Sequence, residues 1–265
     1  MRFISLLILL VSFTSCEKKR NSFSEIEVLG HAAMGLDMAN SIYHDNSKEA
    51  IDFALNMPGS NGIEIDVQMD ADGELWLFHD EVLDKETNGF GCIAEKTTNE
   101  MDKLQYSSIH KEKIARLDVV NFEEFPTKTI FLDIRNFVSC SNSYVDVSKL
   151  IQGLKKLNLD SLANCKLIIP SASWLGYFEN DFQVYLGSDD IALCQQELQN
   201  HPQTKGIVIR SQSISYSQIF ELIAQNYEIY LFEMRSPKGI KEGFLKNPTG
   251  IITDDLRTGI IEKSK

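Results

Sequence analysis

The chain has 265 residues, of which 43 % are hydrophobic and 24 % are charged, the composition of an ordinary soluble globular protein that can bury a sizeable core. Its formal net charge of −12 argues against a nucleic-acid partner, because phosphate backbones need a surface rich in Lys and Arg. Any phosphate that this protein binds must therefore be met locally, by a metal ion or by a few placed cations.

The first residues, MRFISLLILLVSFTSC, differ from the rest of the chain. One basic residue precedes an apolar run that is too short to cross a bilayer, since a spanning helix takes about 20 residues. The run is typical of a secretory signal, and a cysteine after two small residues resembles the end of a bacterial lipoprotein signal. We therefore predict a signal peptide over residues 1–15, a lipid on Cys16, a polar tether over residues 16–25 and display on the bacterial cell envelope. The alternative is an ordinary secretory signal with a chance cysteine.

The remainder, residues 26–265, is predicted to be a single domain in which short β-rich runs alternate with stretches of helical periodicity. The predicted strands are EVLGH (27–31), GIEIDV (62–67), ELWLFHD (74–80), TIFLDI (129–134), KLIIPS (166–171), QVYLGS (183–188), GIVIR (206–210), EIYLFEM (228–234) and GIITD (250–254). The predicted helices lie in SKEAIDFALNM, VDVSKLIQGLKKL, DDIALCQQELQ and SYSQIFELIAQN. This alternation predicts βα units and a parallel sheet.

The third run is the exception to the alternation. Only seven residues, QMDADGE, separate Val67 from Leu75, whereas a parallel crossover needs a dozen or more. The Asp-Gly within this gap is a turn signal, so the two strands must form an antiparallel hairpin. The other eight strands then fit a (β/α)8 TIM barrel with a β-hairpin excursion after the second strand. A doubly wound open sheet is the alternative.

Three acidic residues lie on the predicted strands. Glu64 and Asp66 are two residues apart, so their side chains share one face while the intervening apolar residues take the other. Two carboxylates that face a barrel interior repel each other unless a cation compensates them, and a hard divalent ion such as Mg²⁺ or Ca²⁺ accepts such oxygens. Asp133 ends another apolar strand, so we predict these three as ligands of one divalent cation. The alternative is that the acids are solvated.

Two histidines end strands in the same way, His31 in VLGH and His79 in LWLFHD. The active sites of such barrels assemble at the carboxyl ends of the strands. Imidazoles beside a metal-held phosphate can act as general base and general acid, the parts that phosphodiester hydrolysis needs. We therefore predict His31 and His79 as catalytic residues, and Arg135, two residues after Asp133, as a phosphate contact. The alternative is that both histidines are structural.

These residues together resemble the glycerophosphodiester phosphodiesterase family. The family begins with His-Arg-Gly, continues with Pro-Glu-Asn before a helix and Glu-x-Asp, and then has an Asp-Gly turn, His-Asp and a Thr-x-Gly-x-Gly-like element. The corresponding segments here are GHAAMG with His31, HDNS with Asn46, IEIDV with Glu64 and Asp66, DADG, FHD with His79 and Asp80, and TNGFG over residues 87–91. The match is dense over residues 28–91 and intermittent afterwards. FLDIR falls where the family has its third acidic ligand, and GIITD is similar to its closing strand.

The resemblance implies a barrel, a Ca²⁺ or Mg²⁺ ion, His31 and His79 as the acid–base pair, and a substrate contact at Asn46. Two departures affect the phosphate and the metal. Ala32 stands where the family has an Arg that binds phosphate, and Asp133 stands where the family usually has Glu. Spider-venom phospholipases D are similar in lacking that Arg and in having an Asp as third ligand. Losing the Arg therefore need not abolish activity, but Arg135 would have to replace its charge.

The resemblance and the residues predict an enzyme that hydrolyses a glycerophosphodiester, a small-molecule substrate, to an alcohol and sn-glycerol 3-phosphate. A variant of this hypothesis has a substrate hydroxyl attack the phosphorus and form a cyclic phosphate, as a phospholipase D-like enzyme would. The competing hypothesis is a non-catalytic protein that binds a phosphorylated head group with the same metal site. Under all three, the membrane is contacted only through the lipid anchor.

Overall fold

A computed structural model of the chain describes residues 23–36, 38, 41–137 and 145–265. The strands are β1 (Glu27–Gly30), β2 (Gly62–Met69), β3 (Leu75–Leu77), β4 (Thr129–Ile134), β5 (Cys165–Ile169), β6 (Gln183–Gly187), β7 (Gly206–Arg210), β8 (Glu228–Met234) and β9 (Gly250–Thr253). The helices are α1 (Lys48–Asn56), α2 (Thr98–Met101), α3 (Val147–Lys156), α4 (Leu175–Phe178), α5 (Ile191–Asn200), α6 (Tyr216–Ala224), α7 (Pro237–Leu245) and α8 (Leu256–Lys263). The predicted signal peptide and Cys16 lie outside the described residues.

Eight of the strands form a closed parallel barrel. Their order around it is β1, β2, β4, β5, β6, β7, β8 and β9, and β1 closes the ring because it pairs with both β9 and β2. Strand β3 lies outside the ring and pairs with β2 in the antiparallel direction, with Val67 opposite Leu77. The predicted TIM barrel with a hairpin excursion is therefore confirmed, and the open-sheet alternative is wrong.

Alternation along each strand divides the buried side chains into two layers. Ile63, Ile65 and Val67 of β2 face outward and join the main core between the barrel and its helices. A second layer fills the inside of the barrel with Leu29, Phe131, Ile168, Tyr185, Val208, Tyr230 and Ile252. Glu64 and Asp66 point inward, towards this second layer, so the packing of β2 fixes the direction of both carboxylates.

The helix after β1 follows the predicted signals. Ser47 caps α1 by accepting a hydrogen bond from the Ala50 backbone N–H at 3.1 Å. The apolar face of α1 is buried against the barrel through Ala50, Ile51, Ala54 and Leu55. This cap fixes the residue at which α1 begins. Asn46, the residue just before the cap, is thereby held beside β2.

The start of the domain lies earlier than predicted. Phe23–Glu25 form a 3-10 helix, and the Phe23 ring stacks on Phe244 with 5.0 Å between the centroids. These three residues were predicted to be tether, but packing the half-buried Phe23 ring against α7 is favourable and holds them on the domain. None of the helices in the described ranges combines the length and the apolar composition that a membrane span requires.

Candidate active site

The carboxyl ends of the barrel strands surround a cavity of about 560 Å³. Five of the residues predicted for the site line it: His31, Glu64, His79, Asp133 and Arg135. Four of them lie at or just beyond the end of a strand, where the fold concentrates functional side chains, and Glu64 lies within β2. The structure therefore brings together at one cavity residues that are more than 100 positions apart in sequence.

Glu64, Asp66 and Asp133 form one carboxylate group. One oxygen from each lies within 4.8 Å of the others, as ligands of a single ion would. Parallel pairing explains the proximity, because β2 and β4 are neighbours and Asp66 stands directly opposite Asp133. Glu64 and Asp66 are only 3 % and 1 % exposed, which excludes the alternative that they are solvated surface acids.

Two of these carboxylates have oxygens without a hydrogen bond. Glu64 Oε1 and Asp66 Oδ1 are buried and accept no hydrogen bond from any residue that the structure describes, although Arg135 Nη1 forms an ion pair with Asp66 Oδ1 at 3.4 Å. Burial, and then the charge of Asp66, raise the pKa of Glu64 well above its ordinary value. Burial likewise raises the pKa of Asp133 to about 6, against the opposing charge of Arg135.

This donor set fits a divalent cation. Three carboxylates converge, two of them offer buried oxygens that accept no hydrogen bond from the described residues, and the oxygens are of the kind that Mg²⁺ and Ca²⁺ prefer. Buried charges of one sign are costly unless they are paired or bind a metal.

Short contacts from the first two loops orient the carboxylates. The Ala32 backbone N–H donates to Glu64 Oε2 at 2.9 Å, so the position without the family Arg still contacts the site through its backbone. Asn46 Nδ2 donates to Asp66 Oδ2 at 2.8 Å, and the Asp66 backbone N–H donates to Asn46 Oδ1 at 2.9 Å. The side chain of Asn46 is fully buried, and both hydrogen bonds orient Asp66; the substrate contact expected of Asn46 stays a prediction.

His31 is held by a residue from the far end of the chain. Its Nδ1 donates to Asp254 Oδ1 at 2.7 Å, and its Nε2 lies 3.8 Å from Glu64 Oε2. Burial opposes protonation of the ring, but the Asp254 hydrogen bond and the charges of Glu64, Asp254 and Asp66 outweigh it and raise the pKa of His31 to about 9. Gly30 makes the tight turn into His31 possible, because a Cβ there would lie 1.7 Å from the Ala33 carbonyl oxygen.

His79 is held by the hairpin. Its Nδ1 donates to Asp80 Oδ1 at 3.0 Å. The buried side-chain amide of Gln68 donates to the carbonyl oxygens of Phe78 and Asp80, at 2.8 Å each, and so fixes the backbone on both sides of His79. Both histidines therefore have one ring nitrogen tied to a carboxylate, an arrangement that sets the tautomer and orients the ring.

Arg135 lies beside the carboxylate group. Its Nη1 donates to Asp133 Oδ2 at 2.9 Å, and its side chain is 23 % exposed at the cavity wall. Its charge offsets part of the repulsion among the acids. A phosphate contact for Arg135 stays a prediction, with the guanidinium in a position to make it.

Sequence reasoning missed Asp254, which accepts hydrogen bonds from His31 and from the Leu36 backbone N–H. The available signal was its position at the end of GIITD, the same kind of position that singled out His31 and His79. It also missed Arg210 and Arg235, which line the cavity at the ends of other strands. Arg235 Nε lies 3.4 Å from Asp254 Oδ2.

A second group, His44, Asp45 and Glu86, also brings three possible ligand atoms within 4.8 Å of one another. The His44 ring stacks on Tyr106 with 3.7 Å between the centroids, and its Nδ1 lies 3.2 Å from Asp45 Oδ1. His44 and Asp45 line a separate cavity of about 280 Å³. This group therefore lies apart from the cavity that holds His31 and His79.

Comparison with known proteins agrees with this geometry. Residues 38–151 match the model of the glycerophosphoryl diester phosphodiesterase family. Glycerophosphodiester phosphodiesterases from Caldanaerobacter subterraneus and Bacillus subtilis are 39 % identical over 27 % of this chain and 26 % identical over 62 % of it. These matches span 29 % and 56 % of the two relatives' own lengths.

The barrel as a whole is similar to solved structures. A phosphodiesterase from Oleispira antarctica, solved with the product sn-glycerol-3-phosphate, has a TM-score of 0.73 and 17 % identity, covering 90 % of this chain and 97 % of that one. At this identity the likeness concerns the fold. The family model and the curated relatives add the sequence evidence, and residues 38–151 are similar in sequence to the glycerophosphoryl diester phosphodiesterase family.

Proposed function

We propose that this protein is a metal-dependent phosphodiesterase that hydrolyses a glycerophosphodiester to an alcohol and sn-glycerol 3-phosphate. The observation that carries the proposal is the single cavity lined by His31, His79, Glu64 and Asp133, beside buried oxygens of Glu64 and Asp66 that accept no hydrogen bond from the described residues. The two curated relatives described above are named glycerophosphodiester phosphodiesterases, and the Oleispira antarctica enzyme was solved with the product sn-glycerol-3-phosphate.

Glu64, Asp66 and Asp133 would hold the cation, Ca²⁺ or Mg²⁺. A divalent ion there would withdraw charge from the non-bridging oxygens of the phosphate and favour attack at phosphorus. Arg135, already paired with Asp133 at the cavity wall, is placed to add a second positive charge to the phosphate. This would replace the charge that Ala32 cannot supply.

The two imidazoles move the protons. In hydrolysis, one takes a proton from the attacking water while the other donates a proton to the oxygen of the departing alcohol. Asp254 and Asp80 each occupy one ring nitrogen, at Nδ1 of His31 and Nδ1 of His79, so the Nε2 atoms remain for this transfer. Asp254 also stabilises the protonated form of His31, as the carboxylate partner of a catalytic histidine does.

The test is ³¹P NMR of purified protein with a panel of glycerophosphodiesters, in Mg²⁺ or Ca²⁺ and in chelator. We expect sn-glycerol 3-phosphate to form only with the divalent ion. A cyclic phosphate would assign the internal attack instead of hydrolysis. Tight binding of a diester without any product, with the cation present, would favour the non-catalytic binding protein and contradict the proposal.

We also propose that the mature protein is a lipoprotein of the bacterial cell envelope, cleaved before Cys16. The apolar segment and Cys16 support this, and so does the disulfide bond of Cys92, because disulfides persist in oxidising compartments. Labelling of cells with a radioactive or clickable fatty acid would test the proposal. The label should enter the wild-type protein and not Cys16→Ser, and equal labelling of both would contradict it.

A further inference from the structure

The half of the cavity opposite the carboxylate group has a chemistry of its own. In the order of the barrel, β7 is four strands from β2 in either direction, so the end of β7 faces Glu64 and Asp66 across the mouth. Arg210 ends β7, Asp189 follows β6 and Glu233 is near the end of β8, and all three line the same cavity as the candidate catalytic residues. We call these three residues, with Phe232, the Arg210 cluster.

The cluster is held together by its charges. Arg210 Nε donates to Asp189 Oδ2 at 2.7 Å, and Arg210 Nη1 donates to Glu233 Oε2. The guanidinium also lies 5.4 Å from the centroid of the Phe232 ring. One arginine therefore fixes two carboxylates from neighbouring strands at defined positions on the cavity rim.

The backbone at Glu233 is strained where this residue contacts Arg210. Glu233 has φ 63°, in the left-handed region that non-glycine residues seldom adopt, and the register of β8 against β9 shifts between Leu231 and Met234. Such irregularities re-aim a side chain and cluster at binding sites. Here the irregularity turns Glu233 towards Arg210 and the cavity.

The floor beneath the cluster is apolar. Ile168, Val208 and Ile252 line the cavity and belong to the inner layer of the barrel. Gly187 lies beside them, and a Cβ there would approach Ile168 Cγ2 to 2.7 Å. This side of the cavity therefore offers an apolar base below a rim of hydrogen-bonding groups.

The charged groups of the rim are already paired. Arg210 is paired with Asp189 and Glu233, and Arg235 is paired with Asp254. A cationic head group would have to displace Arg210 from its carboxylates, and an anionic one would meet those carboxylates directly. A neutral group with several hydroxyls can donate to the remaining carboxylate lone pairs and accept from the guanidiniums, without breaking either ion pair.

We propose that the Arg210 cluster binds the alcohol portion of the diester and selects a neutral cyclic polyol, such as an inositol or sugar ring, over a cationic amine. The C–H face of the ring would lie on the apolar floor, and its hydroxyls would reach Asp189, Arg210 and Glu233. This inference rests on the proposed diesterase function, because it assigns the far half of the same cavity.

The test compares kcat/KM for glycerophosphoinositol with kcat/KM for glycerophosphocholine, in the full chain with its divalent ion. The wild-type protein should prefer the inositol diester by about tenfold or more, since a site built around polar groups discriminates strongly against a partner that leaves them unpaired. Glu233→Gln should lower this ratio by about tenfold. Glu242→Gln removes an exposed carboxylate on α7, away from the cavity, and serves as the matched control with an unchanged ratio.

Two outcomes would overturn the proposal: a wild-type preference for the choline diester, or a ratio that Glu233→Gln leaves unchanged. The wild-type ratio needs no variant, so it remains decisive even if Glu233→Gln folds poorly. If no diester is cleaved, the proposed function fails while the subsite is still tested by ligand-observed NMR. Saturation should then reach the inositol ring protons of glycerophosphoinositol and be lost in Glu233→Gln, and its absence in the wild-type protein would overturn the inference.

Discussion

At the amino-terminal end of the barrel, Lys166 donates to Glu228 Oε2 at 2.8 Å and to the Tyr230 hydroxyl at 3.0 Å. The Tyr185 hydroxyl donates to the same Glu228 oxygen at 2.6 Å, and the Tyr230 hydroxyl donates to Glu27 Oε2 at 2.8 Å. At the carboxyl-terminal end, by contrast, Glu64, Asp66 and Asp254 each have a buried oxygen without a hydrogen bond from the described part of the chain.

The pKa values of one carboxylate from each end of the barrel shift in opposite directions. Burial acts to raise the pKa of Glu228, but its hydrogen bonds from Lys166 and Tyr185 hold it below the ordinary value. Burial also raises the pKa of Glu64, and there the neighbouring Asp66 adds to the increase. The two carboxylates differ in their hydrogen-bond partners and also in burial, because the side chain of Glu228 is 42 % exposed and that of Glu64 is 4 % exposed. A complete set of partners makes a structural network, whereas an incomplete set makes a binding site.

The largest expected effect is on catalysis. His31→Ala and His79→Ala should each lower kcat/KM about 10²- to 10⁴-fold, because each removes a group that transfers a proton in the transition state. Rates of diester cleavage in the presence of the divalent ion measure this. His110→Ala is the matched control, since His110 is exposed and lies outside the cavity. Retained turnover in both cavity variants would disprove the acid–base assignment.

The free energy of unfolding should depend on pH because of the charged groups at the carboxyl-terminal end of the barrel, and of His31 in particular. The raised pKa of His31, about 9 against 6.5, means that the folded state binds this proton more tightly than the unfolded state does. Its stabilising contribution is therefore complete below pH 6.5 and is lost as the pH rises through about 9, by up to roughly 3 kcal/mol. Urea unfolding in chelator should show this loss in the wild-type protein and a smaller one in His31→Gln. Parallel curves for the two proteins would contradict it.

A substitution in the hydrogen-bond network at the amino-terminal end of the barrel should lower the stability of the protein and leave its catalytic rate unchanged. Lys166→Met should lower the free energy of unfolding by about 2 kcal/mol, less than for a fully buried ion pair, because the Glu228 side chain is 42 % exposed. The cleavage rate of the folded protein should be unchanged, since Lys166 lies at the opposite end of the barrel from the cavity. A loss of activity without a loss of stability would contradict the assignment of a structural role to the amino-terminal end of the barrel and a catalytic role to the carboxyl-terminal end.

The smallest effect is expected at Asn46, whose side chain orients Asp66. Asn46→Gly keeps the left-handed backbone, φ 54°, and removes both side-chain hydrogen bonds to Asp66. The affinity for the divalent ion should fall about tenfold, as is usual when a residue that orients a metal ligand is removed. Calorimetric titration of the ion measures this. An unchanged ion affinity with a raised KM for the diester would make Asn46 a substrate contact instead.

Much of the fold followed from local pattern. The seven-residue gap between Val67 and Leu75 required a hairpin, and the hairpin is present with β3 antiparallel to β2. Alternation on β2 placed Glu64 and Asp66 on one face, and both face the barrel interior. These features depend on near neighbours in the chain, which is why sequence alone could predict them.

What the sequence could not supply are contacts made across the barrel. The hydrogen bond from His31 to Asp254 joins residues 223 positions apart, and it exists because β1 pairs with β9 when the barrel closes. The Arg210 cluster depends on an irregularity of β8 at Glu233. The residue types in EIYLFEM do not predict this irregularity. The hydrogen bonds of Asn46 to Asp66 could not be predicted for a similar reason, since they depend on how the loop before α1 folds onto β2.

Whether the carboxylate group binds a cation can be decided from the free energy of unfolding of the wild-type protein and of Glu64→Gln, each in chelator and in saturating Mg²⁺ or Ca²⁺. If the carboxylate group is built for a cation, the neutral variant should be at least as stable as the wild-type protein in chelator, because it removes one of the repelling charges. The cation should then stabilise the wild-type protein alone, by about 2.7 kcal/mol at one hundred times its dissociation constant. A variant that is less stable in chelator, or equal stabilisation of both proteins by the cation, would contradict the account.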